Sequence, residues 1–198
     1  VEYAHDTSGG KAYIEVHAWM VANRIWKGTM SSAPSGHVLL QHPEWTMLDY
    51  SGASSNSEGV YLDPGIPGAQ DHQHQVWMDV VRRYDVDGIV LDYIRYPGNT
   101  WGYATLSIDR FKRLYSQTGV PFFTDDDFDQ FRRDNITSMV KKLYAEVMEE
   151  KPQVKVSVCA IPWGYTTTNF YDSSAYLSVF QDWKGMMEGH FLDYLSPM

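Results

Sequence analysis

Two patterns of hydrophobic residues alternate along this chain, one with the period of a β-strand and the other with the period of an α-helix. Apolar residues at every second position, or in short apolar runs, predict β-strands over residues 12–20, 87–96, 154–161 and 191–196. Apolar residues three or four apart predict amphipathic helices, and these cover residues 67–84, 106–118, 128–150 and 174–187. Strands and helices therefore alternate, which favours parallel strands joined by helical crossovers.

This alternation is compatible with two α/β folds, an open doubly wound sheet and part of a barrel. Neither G-x-G-x-x-G nor G-x-x-x-x-G-K-[ST] follows any predicted strand, so a nucleotide-binding sheet would lack its phosphate loop. We therefore predict a (β/α)8 barrel of the TIM type, to which this chain contributes about four strand-helix units. No repeat or linker divides the sequence, so residues 1–198 are expected to form a single partial barrel, the catalytic domain.

The first two predicted strands carry the candidate chemistry. In a barrel, catalytic groups lie where strands end and loops begin. Alternation along residues 12–20 directs Glu15, His17 and Trp19 to the interior, with Trp19 nearest the mouth. Alternation along residues 87–96 directs Asp92 inward, close to the end of its strand. A carboxylate there suits glycosidic bond cleavage, in which one acid protonates the leaving oxygen.

Other residues near these positions have two interpretations each. Arg95 either supports the charge of Asp92 and binds substrate, or only fixes the loop through an ion pair. Glu15 is better explained by a satisfied polar cluster inside the barrel than by catalysis. Residues 28–68 are rich in Gly, Ser, Pro and His and predict a long connection, and loops of that length are usually functional.

The amino-acid composition restricts the classes of molecule that this chain is expected to bind. The 16 basic and 25 acidic residues give a net charge of −9, which argues against nucleic acid. Aromatic residues make up 15% of the chain, and many lie in loops, which suggests a sugar-binding surface, although a large aromatic core would explain the same composition. No apolar run approaches the roughly 20 residues of a transmembrane helix, and Val1–Asp6 does not resemble an export signal.

No metal or cofactor is predicted. The seven histidines lack ligand spacing, and no G-x-S-x-G elbow is present. The single cysteine, Cys159, is expected to be a small apolar strand residue near the barrel interior, and a cysteine nucleophile is the weaker interpretation.

Seven phrases, spread over nearly the whole chain, resemble the bacterial glycosyl-hydrolase-like proteins of family ten. The phrases are VHAWMVANRIW (16–26), HPEW (42–45), LDPG (62–65), RYDVDGIVLDYIRYP (83–97), FRRDNIT (131–137), EKPQVKVSV (150–158) and GHFLDYLSP (189–197). The resemblance implies a TIM-type barrel that is exported or lipid-anchored. Some family members cut peptidoglycan glycan strands after the stem peptides have been removed.

The resemblance also implies site residues at the mouths of three strands, and it indicates that further barrel strands lie outside residues 1–198 or come from a partner chain. Asp92 and Arg95 are the expected catalytic residues. The expected substrate-binding residues are His17, Trp19, Asn23, Arg24, Tyr96, Trp101 and Trp163. The chain departs from the family at Tyr93, where several members carry a second acidic residue directly after the aspartate.

Three functions follow as hypotheses. The first is an extracytoplasmic glycoside hydrolase acting on a bacterial polysaccharide, by carboxylate acid/base chemistry or by substrate-assisted attack of an N-acetyl group. The second is a catalytically inactive carbohydrate-binding barrel. The third, an enzyme of phosphorylated metabolites, requires a Gly-rich phosphate loop that is absent.

Overall fold

The computed structural model describes residues 1–162 and 168–198. Seven helices are present in these residues: α1 Glu2–His5, α2 Val38–Gln41, α3 Pro67–Arg83, α4 Thr105–Tyr115, α5 Asp126–Glu150, α6 Ser174–Leu177 and α7 Trp183–Glu188. The same residues contain six strands: β1 His17–Val21, β2 Arg24–Trp26, β3 Val60–Tyr61, β4 Gly88–Asp92, β5 Lys155–Ala160 and β6 Tyr194–Pro197. Within the described part of the chain, no helix has both the length and the apolar character needed to cross a membrane.

Four of the strands form one parallel sheet in the order β1-β4-β5-β6. Each of these strands pairs with the next parallel strand along the chain. The order in the sheet therefore follows the order in the sequence without a reversal. A doubly wound sheet reverses at a switch point, whereas a barrel adds its strands in one direction. The sheet is therefore part of a TIM-type barrel, as predicted. The remaining strands, β2 and β3, form a separate antiparallel pair.

The two faces of the parallel sheet differ in chemistry. One face, which we call the helix face, carries the buried residues Ile89, Leu91, Val156 and Val158 and packs against apolar residues of α3, α5 and α7. The other face, the inner face, carries His17, Trp19, Asp92, Ser157 and Cys159, as the strand register requires. The period-two pattern of the sequence thus separates a core-forming face from a face with polar and aromatic groups.

The predicted elements are confirmed, but several differ in extent, and the last strand begins at Tyr194 instead of residue 191. The first strand begins at His17 instead of residue 12, and Ile14 is 62% exposed. The second strand ends at Asp92 because Tyr93 has φ +53°, which ends the extended conformation. The helix predicted over residues 174–187 is divided into α6 and α7, since Phe180 has φ +56° and the side chain of Gln181 turns inward to accept a hydrogen bond from Ile161 N–H at 2.9 Å.

Candidate functional site

Asp92 lies at the end of the sheet where the strands finish, which we call the carboxyl edge and define by Val21, Asp92 and Ala160. The residue ends β4 on the inner face and is only 6% exposed. Its Oδ1 accepts a hydrogen bond of 2.7 Å from Tyr93 N–H. In residues 1–162 and 168–198, no lysine, arginine or histidine nitrogen lies within 4.0 Å of this carboxylate. The carboxyl group of Asp92 is therefore nearly buried and has no salt-bridge partner among these residues.

The turn after Asp92 is strained in its backbone. Tyr93 adopts φ +53°, a region that non-glycine residues rarely occupy and that costs on the order of 1–3 kcal/mol. Two hydrogen bonds between the neighbouring segments hold it there, from Ala22 N–H to the Asp92 carbonyl at 2.7 Å and from Asn23 N–H to the Tyr93 carbonyl at 3.2 Å. The chain after β1 therefore fixes the direction in which the chain leaves β4.

Trp19 and Cys159 lie close to Asp92 on the inner face. Burial and the charge of Asp92 raise the pKa of the Cys159 thiol above its ordinary value, despite a hydrogen bond with Trp19. A raised pKa keeps the thiol protonated at neutral pH, which disfavours a cysteine nucleophile. Trp19 is 60% exposed, so its ring offers an apolar surface beside the carboxyl group.

A second carboxylate, Glu58, lies at the carboxyl edge and was not anticipated from the sequence. Glu58 binds Arg95 through both oxygens, Oε1 to Nη2 at 2.8 Å and Oε2 to Nη1 at 3.4 Å. Tyr61 donates a further hydrogen bond of 2.5 Å to Oε2. Burial opposes the charge of Glu58, but the contacts with Arg95 and Tyr61 outweigh it and lower the pKa of Glu58. The only sequence signal was its position as the lone carboxylate of residues 51–62.

Arg95 is bound to Glu58 and not to Asp92. Its side chain is buried, at 8% exposure, and Nη1 also donates to the Tyr96 carbonyl at 3.3 Å. Of the two interpretations of Arg95, the ion pair that fixes the loop accounts for its observed contacts. A catalytic role of Arg95 stays a prediction.

Two guanidinium groups lie against the ring of Tyr93. The guanidinium carbon of Arg24 is 4.0 Å from the ring centroid and that of Arg95 is 4.8 Å away. Arg24 also donates from Nη1 to the Tyr93 hydroxyl at 3.3 Å. The pairing of β2 with β3 aligns Arg24 with Tyr61, so the whole cluster is built from three chain segments. We call Arg24, Glu58, Tyr61, Tyr93 and Arg95 the arginine cluster.

The other predicted substrate-binding residues lie in different surroundings. Asn23 is 1% exposed and donates from Nδ2 to the Arg95 carbonyl at 3.3 Å. It therefore fixes the backbone of the loop that follows β4. Tyr96 is fully buried and packs edge-on against Phe180 at 5.6 Å. Trp101 is 8% exposed and belongs to the same apolar core as Tyr96. We therefore leave Tyr96 and Trp101 out of the candidate site. Trp163 lies outside the described residues.

His17 lies at the opposite end of the sheet, which we call the amino edge and define by His17, Gly88 and Lys155. Its Nδ1 is 2.7 Å from the Tyr194 hydroxyl, and its Nε2 is 3.0 Å from Glu15 Oε2. Lys155 Nζ binds the same carboxylate at 2.6 Å. Glu15 and His17 form a polar cluster, but the prediction that this cluster lies inside the barrel was wrong, because Glu15 precedes β1 and its side chain is 47% exposed. This separates His17 from the residues at the carboxyl edge.

Comparison with known proteins gives one family over most of the chain. The sequence profile described as "Glycosyl hydrolase-like 10" matches residues 6–198. "Glycosyl hydrolase YngK" of Bacillus subtilis (strain 168) is 25% identical over 198 residues, covering 94% of this chain and 36% of the relative. "Glycosyl hydrolase DigH" of Escherichia coli (strain K12) is 26% identical over 209 residues, covering 94% of this chain and 43% of the relative. The chain thus spans about two fifths of the length of these curated relatives.

The solved structure of alpha-L-fucosidase isoenzyme 2 from Paenibacillus thiaminolyticus aligns with 80% of this chain and 22% of its own, at 19% identity and a TM-score of 0.56. This likeness concerns the fold, and it agrees with the partial barrel derived from the strand order. The profile match, which extends over residues 6–198, decides the family. The chain belongs to the glycosyl hydrolase-like 10 family.

Proposed function

We propose that this chain is the part of a glycoside hydrolase that carries one catalytic carboxyl group, Asp92. The substrate is a bacterial polysaccharide, with peptidoglycan glycan strands as the first candidate, and the enzyme acts outside the cytoplasm. The observation that supports this most directly is the Asp92 carboxyl group itself, which is 6% exposed and has no salt-bridge partner among the described residues. Burying such a group without a charged partner costs stability, so its retention requires a reason other than folding.

The surroundings of Asp92 suit a sugar substrate. Trp19 offers an exposed aromatic face on the same side of the sheet, and aromatic rings pack against the apolar faces of pyranose rings. Asp92 Oδ1 is held by Tyr93 N–H, while Oδ2 has no donor among the described residues. Oδ2 is the atom to protonate a leaving oxygen or to orient an N-acetyl group. Both routes use Asp92.

Glu58 is not suited to be the second catalytic group. Both of its oxygens bind Arg95, and a carboxylate held in this way neither transfers a proton readily nor moves toward a sugar. We therefore propose that the partner carboxyl group, if the enzyme uses one, belongs to another part of the protein. Substrate-assisted hydrolysis needs no such partner, and it predicts that removing the N-acetyl groups from the glycan abolishes cleavage.

The test is product analysis with the full-length protein. Purified glycan strands, with and without stem peptides, are incubated with the wild type, with Asp92→Asn and with Asp109→Asn, and released fragments are identified by mass spectrometry. Asp109 is an exposed aspartate of α4 and serves as the matched control. We expect equal products from the wild type and Asp109→Asn, and a rate about 100- to 10,000-fold lower from Asp92→Asn. Wild-type rates from Asp92→Asn would refute the role of Asp92.

The second candidate function is a carbohydrate-binding barrel without turnover. It is favoured by one observation, that Asp92 is the sole carboxyl group of the described carboxyl edge left free of a salt bridge, because Glu58 is bound to Arg95. Calorimetric binding of glycan strands by the wild type, with no products after prolonged incubation, would support this alternative.

A further inference from the structure

A second concave surface lies beside the carboxyl edge and is separate from the site around Asp92. It is a cavity of about 280 Å³ between residues 48–52, the end of the loop that follows β4, and α4. Tyr103 N–H donates to the Leu48 carbonyl at 2.9 Å, so this loop is bound to residues 48–52. The cavity borders Thr105, the first residue of α4, and in a TIM-type barrel the helix after a strand begins near the carboxyl edge. The cavity therefore lies toward the same end of the sheet as Asp92, and none of the described residues that line it belongs to a strand.

Aromatic rings form one wall of this cavity and hold one another in place. Tyr50 lines the cavity and is 49% exposed. Its ring packs edge-on against Tyr103 at 5.1 Å and against Phe122 at 5.6 Å between ring centroids. Phe122 is 51% exposed, and Val120, which also lines the cavity, is 61% exposed. Large apolar groups that are exposed together around a concave surface are typical of a surface that binds a ligand.

Charged side chains line the same cavity. Oδ1 of Asp49 accepts three hydrogen bonds of 2.8 Å, from the N–H and the hydroxyl of Ser51 and from Ala53 N–H, and none of the three uses Oδ2. Burial opposes the charge of Asp49, but these hydrogen bonds outweigh it and lower the pKa of the carboxyl group. Lys112 is partly buried, and in the described part of the chain no carboxylate oxygen lies within 4.0 Å of its Nζ. Asp109 also lines the cavity, but it is exposed and is assigned no part in binding.

An aromatic ring with hydrogen-bonding groups at its side is the arrangement that binds a sugar ring. The aromatic face packs on the apolar face of a pyranose, while a carboxylate accepts from the sugar hydroxyls and an ammonium group donates to them. The cavity is close to the lower end of the size range of ligand pockets, about 300 Å³, and so suits a single ring. We propose that Asp49, Tyr50 and Lys112 form an outer sugar site, which binds one sugar of the glycan strand that is cut at Asp92. This inference rests on the proposed function, since it assumes that the substrate is a glycan.

The outer sugar site would act on the binding of long strands and not on the chemical step. A strand that is held at two places dissociates only when both contacts are broken, so a second site raises the apparent affinity without a change at the first site. We therefore expect the outer sugar site to raise the affinity for strands of many sugars and to leave the rate at which a bound strand is cut unchanged.

The first experiment measures binding by a protein that carries Asp92→Asn, so that the strands stay intact. Calorimetric titrations use this full-length protein and long, soluble glycan strands prepared from peptidoglycan. We expect the additional substitution Tyr50→Ala to lower the affinity about 3- to 10-fold, the effect of losing one aromatic contact, and Tyr50→Phe to keep the affinity because the ring remains. The matched control is Tyr84→Ala, which removes a ring that is 56% exposed at the end of α3, and its affinity should be unchanged. No binding by the parent, or equal affinities of the parent and Tyr50→Ala, would overturn the proposal.

Chemical labelling tests the site without a substitution in the cavity. Acetic anhydride acetylates accessible lysines of the full-length protein, and mass spectrometry gives the rate at each position. Saturation with glycan strands should lower the acetylation rate of Lys112 several-fold. The rate at Lys142 of α5, whose side chain is 45% exposed, should stay the same. Equal acetylation of Lys112 with and without strands, or a Lys112 that resists acetylation in the free protein because another part of the protein covers it, would refute the outer sugar site.

The failures of the two proposals are distinguishable. If the wild type cuts long strands but Tyr50→Ala binds them as tightly as its parent, the hydrolase proposal stands and the outer sugar site is refuted. If strands bind in a manner that depends on Tyr50 and protect Lys112, but the wild type forms no products, glycan binding at the outer sugar site stands and the hydrolase proposal is refuted.

Discussion

At the amino edge of the sheet, charged side chains are paired with each other, whereas at the carboxyl edge two charges are left open. Asp87 at the amino edge accepts hydrogen bonds from Tyr13 at 2.5 Å and Val16 N–H at 2.6 Å, and it lies 2.7 Å from His5. Among the described residues, Asp92, five residues later on the same segment, has one backbone donor, and no carboxylate lies within 4.0 Å of Arg24.

The difference teaches where to look for function in this fold. Paired charges contribute to folding and need no other explanation. A nearly buried carboxyl group or a fixed guanidinium without an opposite charge is unfavourable for folding, which makes the residue a candidate for binding a ligand. In TIM-type barrels the carboxyl edge is also where catalytic groups lie. The charge pattern and the topology thus indicate the same end of the sheet.

The largest expected effect concerns Asp63, a buried acid in the turn that leads into α3. Asp63 is fully buried, and burial raises its pKa to about 6, although Gly65 N–H donates to Oδ1 at 2.8 Å. The folded protein therefore holds the Asp63 proton more tightly than the unfolded chain does, and the contribution of Asp63 to stability falls as pH rises from about 4 to about 6. Asp63→Asn should remove this loss and raise the free energy of unfolding at pH 7 by about 3 kcal/mol.

Urea unfolding of the wild type and Asp63→Asn at pH 4 and pH 7 checks this. The two proteins should have similar stability at pH 4 and separate at pH 7. A stability difference between the two proteins that is the same at pH 4 and pH 7 would show that the charge of Asp63 is not unfavourable in the folded protein.

The next effect concerns the packing of the amino edge. A Cβ atom on Gly88 would lie 2.2 Å from His17 Nδ1, so Gly88→Ala must displace the His17 ring from Tyr194. We expect a loss of about 1–3 kcal/mol in the free energy of unfolding, as for other overpacked sites, with glycan binding unchanged. The control is Gly98→Ala, whose Cβ would find its nearest neighbour, Trp101 Cδ1, at 3.7 Å. Thermal melting and calorimetric glycan binding are measured for both variants. A loss of glycan binding in Gly88→Ala would contradict the view that the amino edge serves stability alone.

A smaller effect is expected for Asp87. Burial opposes its charge, but the hydrogen bonds from Tyr13, Val16 N–H and His5 outweigh it and lower the pKa of Asp87 to about 2. The stabilisation is therefore present above about pH 4 and is lost as pH falls toward 2. Because the side chain is 19% exposed and partly screened, we expect Asp87→Asn to cost about 1 kcal/mol at neutral pH. Urea unfolding at pH 7 and pH 2.5 should show a clearly smaller cost at pH 2.5 than at pH 7.

Sequence periodicity was sufficient for the four parallel strands, for the helices between them and for the inward direction of Asp92, because strand alternation depends only on local geometry. The prediction from alternation fails at Tyr93, the residue after Asp92. Alternation carried through residues 87–96 predicts that Ile94 shares the inner face with Asp92, yet Ile94 belongs to the core on the helix face, since the positive φ of Tyr93 ends the alternation. The same turn leads Tyr96 into the core instead of the mouth of the barrel.

The arginine cluster could not be predicted from the sequence, for a different reason. Glu58 and Arg95 are 37 residues apart, and Glu58 lies in a segment without hydrophobic periodicity. The antiparallel pairing of β2 with β3 and the hydrogen bond from Leu62 N–H to the Asn23 carbonyl bring Tyr61 and the nearby Glu58 to the carboxyl edge. Long-range pairing of this kind leaves no local pattern, so the partner of Arg95 could be identified only from the structure.

The most direct test of the contrast compares two aspartates at the two ends of one strand. Asp87→Asn and Asp92→Asn are made in the full-length protein, and glycan cleavage rate and melting temperature are measured for both. We expect Asp92→Asn to lower the cleavage rate at least about 100-fold with little change in melting temperature, and Asp87→Asn to lower the melting temperature and leave the rate near that of the wild type. Full activity in Asp92→Asn, or a loss of activity in both variants that only follows their loss of stability, would contradict it.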